Sequence, residues 1–178
     1  MTATPIGIIV GTNRHNSFTK VIAQYYQKIL LKFDQPSIII DLSLLPEDFA
    51  FSALYHNHGK NDQFNIFQDQ MDQCNKFVFV VPEYNSSFPG VLKTFLDGLR
   101  HPDSLVGKKI ALVGLSAGVL GNAVGLSHLT DVLNYFNANV LGLRVKLGIV
   151  KQHFADGEFT SDIYRNFMER QAKLLIEF

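Results

Sequence analysis

Short runs of apolar residues alternate with stretches in which apolar positions recur every three or four residues. Pro5-Ile6-Gly7-Ile8-Ile9-Val10 begins the series as an apolar run of strand length. From Ser17 or Phe18 to about Phe33, the positions of Val21, Ile22, Tyr25, Ile29 and Leu30 have helical spacing. Pro36 introduces Ser37-Ile38-Ile39-Ile40-Asp41-Leu42, which reads as a strand buried on both faces. A long loop follows, polar at His56-Asn57-His58-Gly59-Lys60-Asn61, and then residues 62–75 become helical through Phe64, Phe67, Met71 and Cys74. Lys76-Phe77-Val78-Phe79-Val80-Val81 is the most apolar strand and is predicted to be central.

Pro89 stands where a helix over Val91 to Leu99 would begin. Lys109 to Gly114 is a fourth strand, Asn122 to Phe136 a fourth helix, Asn139 to Leu147 contains a fifth strand, and Ser161 to Ile176 is a closing helix. Strands and helices taking turns in this way predict a parallel sheet with helices on both faces. The pattern shows no repeat and no linker, which predicts one domain over residues 1–178.

Composition narrows the partners. Lys+Arg and Asp+Glu balance at 16 each, with no basic run of the kind nucleic acid requires. The single cysteine, Cys74, excludes an internal disulfide and fits a reducing compartment. No apolar stretch reaches bilayer length, and Met1-Thr2-Ala3-Thr4-Pro5 runs into the first strand without a charged segment or apolar signal core. The expectation is a soluble cytoplasmic protein with no membrane and no nucleic-acid partner.

In open doubly wound sheets, ligands bind beyond the carboxyl ends of the strands. Three loops there, 11–17, 82–90 and 115–121, are rich in Gly, Ser and Asn. The first, Gly11-Thr12-Asn13-Arg14-His15-Asn16-Ser17, leads into a helix N-terminus, whose free amides and dipole favour an anion. Thr12 and Ser17 would add hydroxyl donors and Arg14 a charged fork suited to phosphate. Taken alone, the same residues would serve as an ordinary βα connection capped by a serine.

The second loop reads Pro82-Glu83-Tyr84-Asn85-Ser86-Ser87-Phe88-Pro89-Gly90 and runs into Val91-Leu92-Lys93-Thr94-Phe95-Leu96-Asp97. Together with Gly11, Thr12, Arg14 and Ser17, this resembles the NADPH-dependent FMN reductase family, flavodoxin-like proteins that include quinone and azo-dye reductases. The family's long motif is matched by Pro82, Glu83, Tyr84, Asn85, Ser87, Pro89, Gly90, Leu92, Lys93 and Asp97.

The resemblance implies a flavodoxin-like α/β sandwich whose five-stranded parallel sheet has the order 2-1-3-4-5. It implies bound FMN, with NADPH or NADH as co-substrate. Phosphate contacts would come from Thr12, Arg14 and Ser17, with Phe18 and Thr19 beside them. Ring or ribityl contacts would come from Pro82, Glu83, Tyr84 and Asn85, and from the third loop through Ser116, Ala117 and Gly118. It further implies a homodimer or homotetramer in which the partner chain completes the pocket. Thr19 stands where many members have Asn, Thr12 where many have Ser, and Ala117 replaces a glycine; the last either narrows the approach to the ring or fits a different turn.

The expected reaction is hydride transfer from NAD(P)H through FMN to a small-molecule electron acceptor (free flavin, a quinone or an azo compound), in a ping-pong cycle. The cofactor carries the hard step, so no side chain is assigned as acid, base or nucleophile. Glu83 is assigned to a helix terminus or subunit contact, and Asp97 to structure. His15 either approaches the phosphate or is a solvated loop residue. His56 and His58 lack a third ligand, so no metal is expected. The loop 43–62, with Phe49, Phe51, Leu54 and Tyr55, is a pocket wall or a subunit contact. The alternatives are a flavodoxin-type electron carrier, disfavoured by neutral charge, and a non-catalytic flavin-binding or sensor protein.

Overall fold

A computed structural model describes residues 3–178. Four strands form the body of the sheet: β1 (Ile6–Val10), β2 (Ser37–Asp41), β3 (Lys76–Pro82) and β4 (Lys109–Leu115). They are parallel, in the order β2-β1-β3-β4, with the fifth strand on the far side of β4, so β3 is central as its apolar run predicts. The fifth strand is not continuous. It is split into β5 (Asn139–Val140) and β6 (Val145–Leu147), each pairing with a different part of β4. Between the two pieces, the buried side chain of Gln171 donates to Leu112 O at 3.0 Å and Leu143 O at 2.6 Å, replacing ladder bonds that the interruption removes.

Alternate strand residues feed two apolar layers. Ile6, Ile8 and Val10 of β1, with Val78, Val80, Ala111 and Val113, pack against α1 (Phe18–Lys32) and α6 (Asp162–Glu177). Ile9, Phe77, Phe79, Val81, Ile110 and Leu112 face α3 (Asp62–Asp72), α4 (Gly90–Gly98) and α5 (Ala123–Tyr135). Ser17 caps α1 by accepting the Lys20 amide, and Asn61 caps α3 by accepting that of Phe64. The helices therefore lie on both faces, and the sandwich has the flavodoxin-like arrangement.

Loop 43–62 is only partly irregular: it contains a one-turn helix, α2 (Phe49–Ser52), flanked by 3-10 turns at Leu42–Leu44 and Tyr55–Asn57. Phe49 and Leu54 are buried in the α3–α5 layer, whereas Phe51 and Tyr55 are exposed. Beyond β6, a small hairpin of β7 (Phe154–Ala155) and β8 (Glu158–Phe159) turns on Asp156-Gly157, both at positive φ, a sequence pair that itself signals a two-residue hairpin. Among the described residues no helix is long and apolar enough to cross a membrane.

Candidate cofactor site

The carboxyl ends of β1, β3, β4 and β6 converge on a cavity of about 270 Å³. One end is lined by Arg14, His15, Asn16, Ser17 and the first residues of α1, Phe18 and Thr19. The other end is formed by Pro82, Glu83 and Tyr84 after β3, and by Leu115, Ser116 and Ala117 at the end of β4. Val150 and Lys151, which follow β6, close the side. Nine of the twelve residues expected at the cofactor therefore face one space: Arg14, Ser17, Phe18, Thr19, Pro82, Glu83, Tyr84, Ser116 and Ala117.

Thr12, Asn85 and Gly118 do not line it. Thr12 is wholly buried, with its hydroxyl 2.6 Å from the Tyr84 hydroxyl and accepting the Arg14 amide at 3.3 Å. It thus ties the first loop to the second from beneath. Asn85 sits with Ser86 at the tip of a two-residue turn, both at positive φ, closed by reciprocal backbone bonds between Tyr84 and Ser87 of 2.9 and 3.0 Å. Gly118 lies on the open side of the third loop, where a Cβ would meet nothing within 4 Å.

The second and third loops are held by the side chains of Glu83 and Ser116, which also line the cavity, and by the buried Asn122. Ser116 Oγ donates to Gly118 O at 2.8 Å and accepts the Gly121 amide at 3.0 Å, so its hydroxyl shapes its own loop. Glu83 Oε2 accepts the amide of Asn122 at 3.2 Å, at the start of α5, a helix-terminus role. Asn122 is wholly buried in the left-handed region (φ 62°), and its Nδ2 donates to Val81 O and Pro82 O at 3.1 Å each. It pins the end of β3 to the start of α5.

Outside the cavity, Asp97 pairs with Lys93 at 2.7 Å across one helical turn, a structural role. His58 Nε2 lies 3.3 Å from Asp97 O, and among the described residues no cluster of three His, Cys, Asp or Glu could hold a metal. Cys74 is buried, and desolvation pushes its thiol up to about 11, so it is a poor nucleophile.

The lining matches the chemistry of FMN. At the start of α1 the Lys20 amide is taken by Ser17, while Phe18 and Thr19, whose amides have no acceptor within the helix, line the cavity beside Arg14 and Ser17. Among the described residues, neither Arg14 nor Lys151 has a carboxylate within ion-pair distance. That end can take a phosphate dianion, while Pro82, Tyr84, Leu115 and Ala117 offer apolar and aromatic surface for a planar ring.

Comparison with known proteins agrees with this geometry. The model of the family described as NADPH-dependent FMN reductase matches residues 4–150. The chain belongs to that family. It is 32% identical over 148 residues to a 2-hydroxy-1,4-benzoquinone reductase of a Burkholderia species, covering 76% of this chain and 73% of that protein. It is 31% identical over 153 residues to a quinone reductase of Escherichia coli K12, covering 83% and 79%. FerB, an NAD(P)H:(acceptor) oxidoreductase of Paracoccus denitrificans, superposes with a TM-score of 0.81 at 19% identity over 98% of this chain and 96% of that one, a likeness of fold.

This family member is an FMN-dependent NAD(P)H oxidoreductase acting on a small acceptor. Held in this cavity, FMN would supply the two-electron chemistry of hydride transfer between NAD(P)H and the acceptor. The chain's own residues bind and orient. His15, which the sequence left between approaching the phosphate and a solvated loop position, lines the cavity, and Asn16, Leu115, Val150 and Lys151 join it without having been among the expected contacts. The last two follow β6, so the rule that sites gather at the carboxyl ends of strands, applied to the fifth strand as well, would have found them.

Proposed function

We propose that Arg14, Ser17, Thr19 and the first amides of α1 hold the FMN phosphate, and that Pro82, Glu83, Tyr84, Ser116 and Ala117 frame the ring. Phe18 supports the phosphate end by packing edge-on against Phe154 at 5.6 Å between ring centroids. Thr12 acts as a brace for Tyr84 and Arg14 in place of the phosphate contact that the resemblance implies. Asn85 and Gly118 shape the turns on which the ring contacts sit. The observation that carries this reading is one cavity lined by a helix N-terminus and by Arg14 and Lys151, cations without a carboxylate partner among the described residues, and on another side by Pro82, Tyr84, Leu115 and Ala117.

The acceptor we assign is a quinone, with azo compounds and free flavin as further members of the same planar, electron-poor class. Support comes from the quinone reductases to which the chain is similar. The cofactor carries the hydride step, so we assign no side chain as acid, base or nucleophile and leave selection among acceptors to shape. Residues 1–178 act as one domain, in the cytoplasm, where the lone buried Cys74 stays reduced. The chain works as a homodimer or homotetramer, a reading supported by exposed Leu44, Phe51, Tyr55, Val119 and Leu120 on the loops around the cavity.

The test is the visible spectrum of protein mixed with FMN and desalted, then treated anaerobically with NADPH and afterwards with a benzoquinone. Retained flavin absorbance should bleach with NADPH and return with the quinone. A band that stays oxidised would instead support an electron carrier or sensor. Arg14→Ala with Ser17→Ala should abolish flavin retention; unchanged retention would show that the first loop is not the phosphate site.

A further inference from the structure

We infer that Lys151 is a second phosphate-binding cation of the cofactor site, supplied by the turn after the fifth strand and lying one residue beyond the segment that the family model matches. The inference rests on the FMN reading of this cavity and deepens it.

Three observations place Lys151 at the phosphate end. Its side chain lines the same cavity as Arg14, His15 and Ser17. Its Nζ stands 5.9 Å from the centroid of the Phe18 ring, and Phe18 is the first residue of α1, next to the Ser17 cap. The turn that carries it is fixed on the third loop: the Ile149 amide donates to Gly118 O at 2.8 Å and the Val150 amide to Ser116 O at 3.1 Å. The neighbouring Phe154 also packs on Phe18, so the turn grips the α1 start at a second point.

Charge matching supplies the reason for a second cation. A flavin phosphate carries close to two negative charges at neutral pH. Arg14 offers one positive charge, and the helix N-terminus about half of one. Glu83, the carboxylate lining the cavity, is engaged with the Asn122 amide and does not pair with Lys151. The other lysine near the start of α1, Lys20, is bound to Asp41 at 2.9 Å and faces away from this duty. Lys151, which has no carboxylate partner among the described residues, thus supplies the positive charge that completes neutralisation of the dianion.

The experiment compares Lys151→Met and Lys151→Arg with the native protein, titrating FMN and, separately, riboflavin by quenching of flavin fluorescence. Lys151→Met should weaken FMN about tenfold, reduce the salt dependence of binding and leave riboflavin unchanged, while Lys151→Arg keeps FMN affinity. Equal loss of FMN and riboflavin would overturn the inference, because the lysine would then act only by packing on Phe18. Unchanged FMN binding by Lys151→Met would also overturn it, and a raised KM for NADPH in that case would move the lysine to the donor's phosphate. Arg14→Ala runs alongside. If it weakens FMN while Lys151→Met does not, the phosphate site stands and only the second cation falls. If neither variant weakens FMN, the reading of the whole cavity falls.

Discussion

Removing the side chain of Asn122 should loosen the joint between β3 and α5, and the size of the effect can be worked from its contacts. The residue is wholly buried, and its Nδ2 donates two hydrogen bonds of 3.1 Å to Val81 O and Pro82 O. Each bond is worth about 1 kcal/mol net, so their loss costs about 2 kcal/mol. Asn122 also holds φ at 62°, a conformation that costs alanine about 1 kcal/mol more than glycine. Against this, its Oδ1 is buried without a partner, and deleting that atom returns about 1 kcal/mol. Asn122→Ala is therefore expected to lose about 2 kcal/mol and Asn122→Gly about 1 kcal/mol. For a chain of this length, the alanine variant should melt about 4–8 °C lower. Thermal unfolding followed by circular dichroism reads both numbers, and FMN titration should show weaker binding in both variants, because Val81 and Pro82 lose the side-chain anchor that holds the end of β3. Equal stability of the alanine and glycine variants would refute the strain component. Native stability in both would refute the joint itself.

Thr12→Val and Tyr84→Phe should each weaken FMN binding, and the double variant should lose less than the sum, with a coupling of about 1 kcal/mol; strict additivity would show that the 2.6 Å contact is not energetic. Asp41 is buried, which by itself opposes ionisation, yet its bonds to Lys20 and to the Ser43 amide hold its carboxyl below the usual range. Its contribution is present above the unfolded value near pH ~4 and is lost as pH falls through the lower folded value. The stability gap between the native protein and Lys20→Met should accordingly be full at neutral pH and shrink as the medium is acidified below pH ~4; a constant gap in urea unfolding from neutral to strongly acidic pH would refute the pairing. Cys74 should resist a thiol reagent in the folded protein at pH ~8 and react at once in denaturant, whereas rapid labelling of the native form would contradict its burial.

The sheet was legible because β1, β3 and β4 are buried on both faces and so show up as uninterrupted apolar runs. The fifth strand was legible in place but not in form. Its break is repaired by Gln171, far along the chain, and no local pattern announces a side chain that will replace a ladder bond. The short turns in residues 42–57 escaped for a different reason, since elements of three or four residues carry no periodicity. At the site, loop composition pointed to the regions after β1, β3 and β4. The same composition could not separate Thr12, turned inward to Tyr84, from Ser17, at the cavity wall, because inward and outward hydroxyls look alike in sequence. Lys151 sits in a turn that is neither Gly-rich nor Ser-rich, so loop composition passed over it, and only its place after the fifth strand marks it.

The interruption of the fifth strand also bears on solubility. β5 and β6 form one margin of the sheet, the place where a foreign strand could add by main-chain pairing. Because the margin is cut into stretches of two and three residues, it offers no run long enough to template such growth. The carbonyls of Leu112 and Leu143 beside the gap are already taken by Gln171. An incoming chain would have to displace a buried amide to find a continuous ladder at this margin, and a Gln171→Leu variant would open a route to strand-mediated aggregation there.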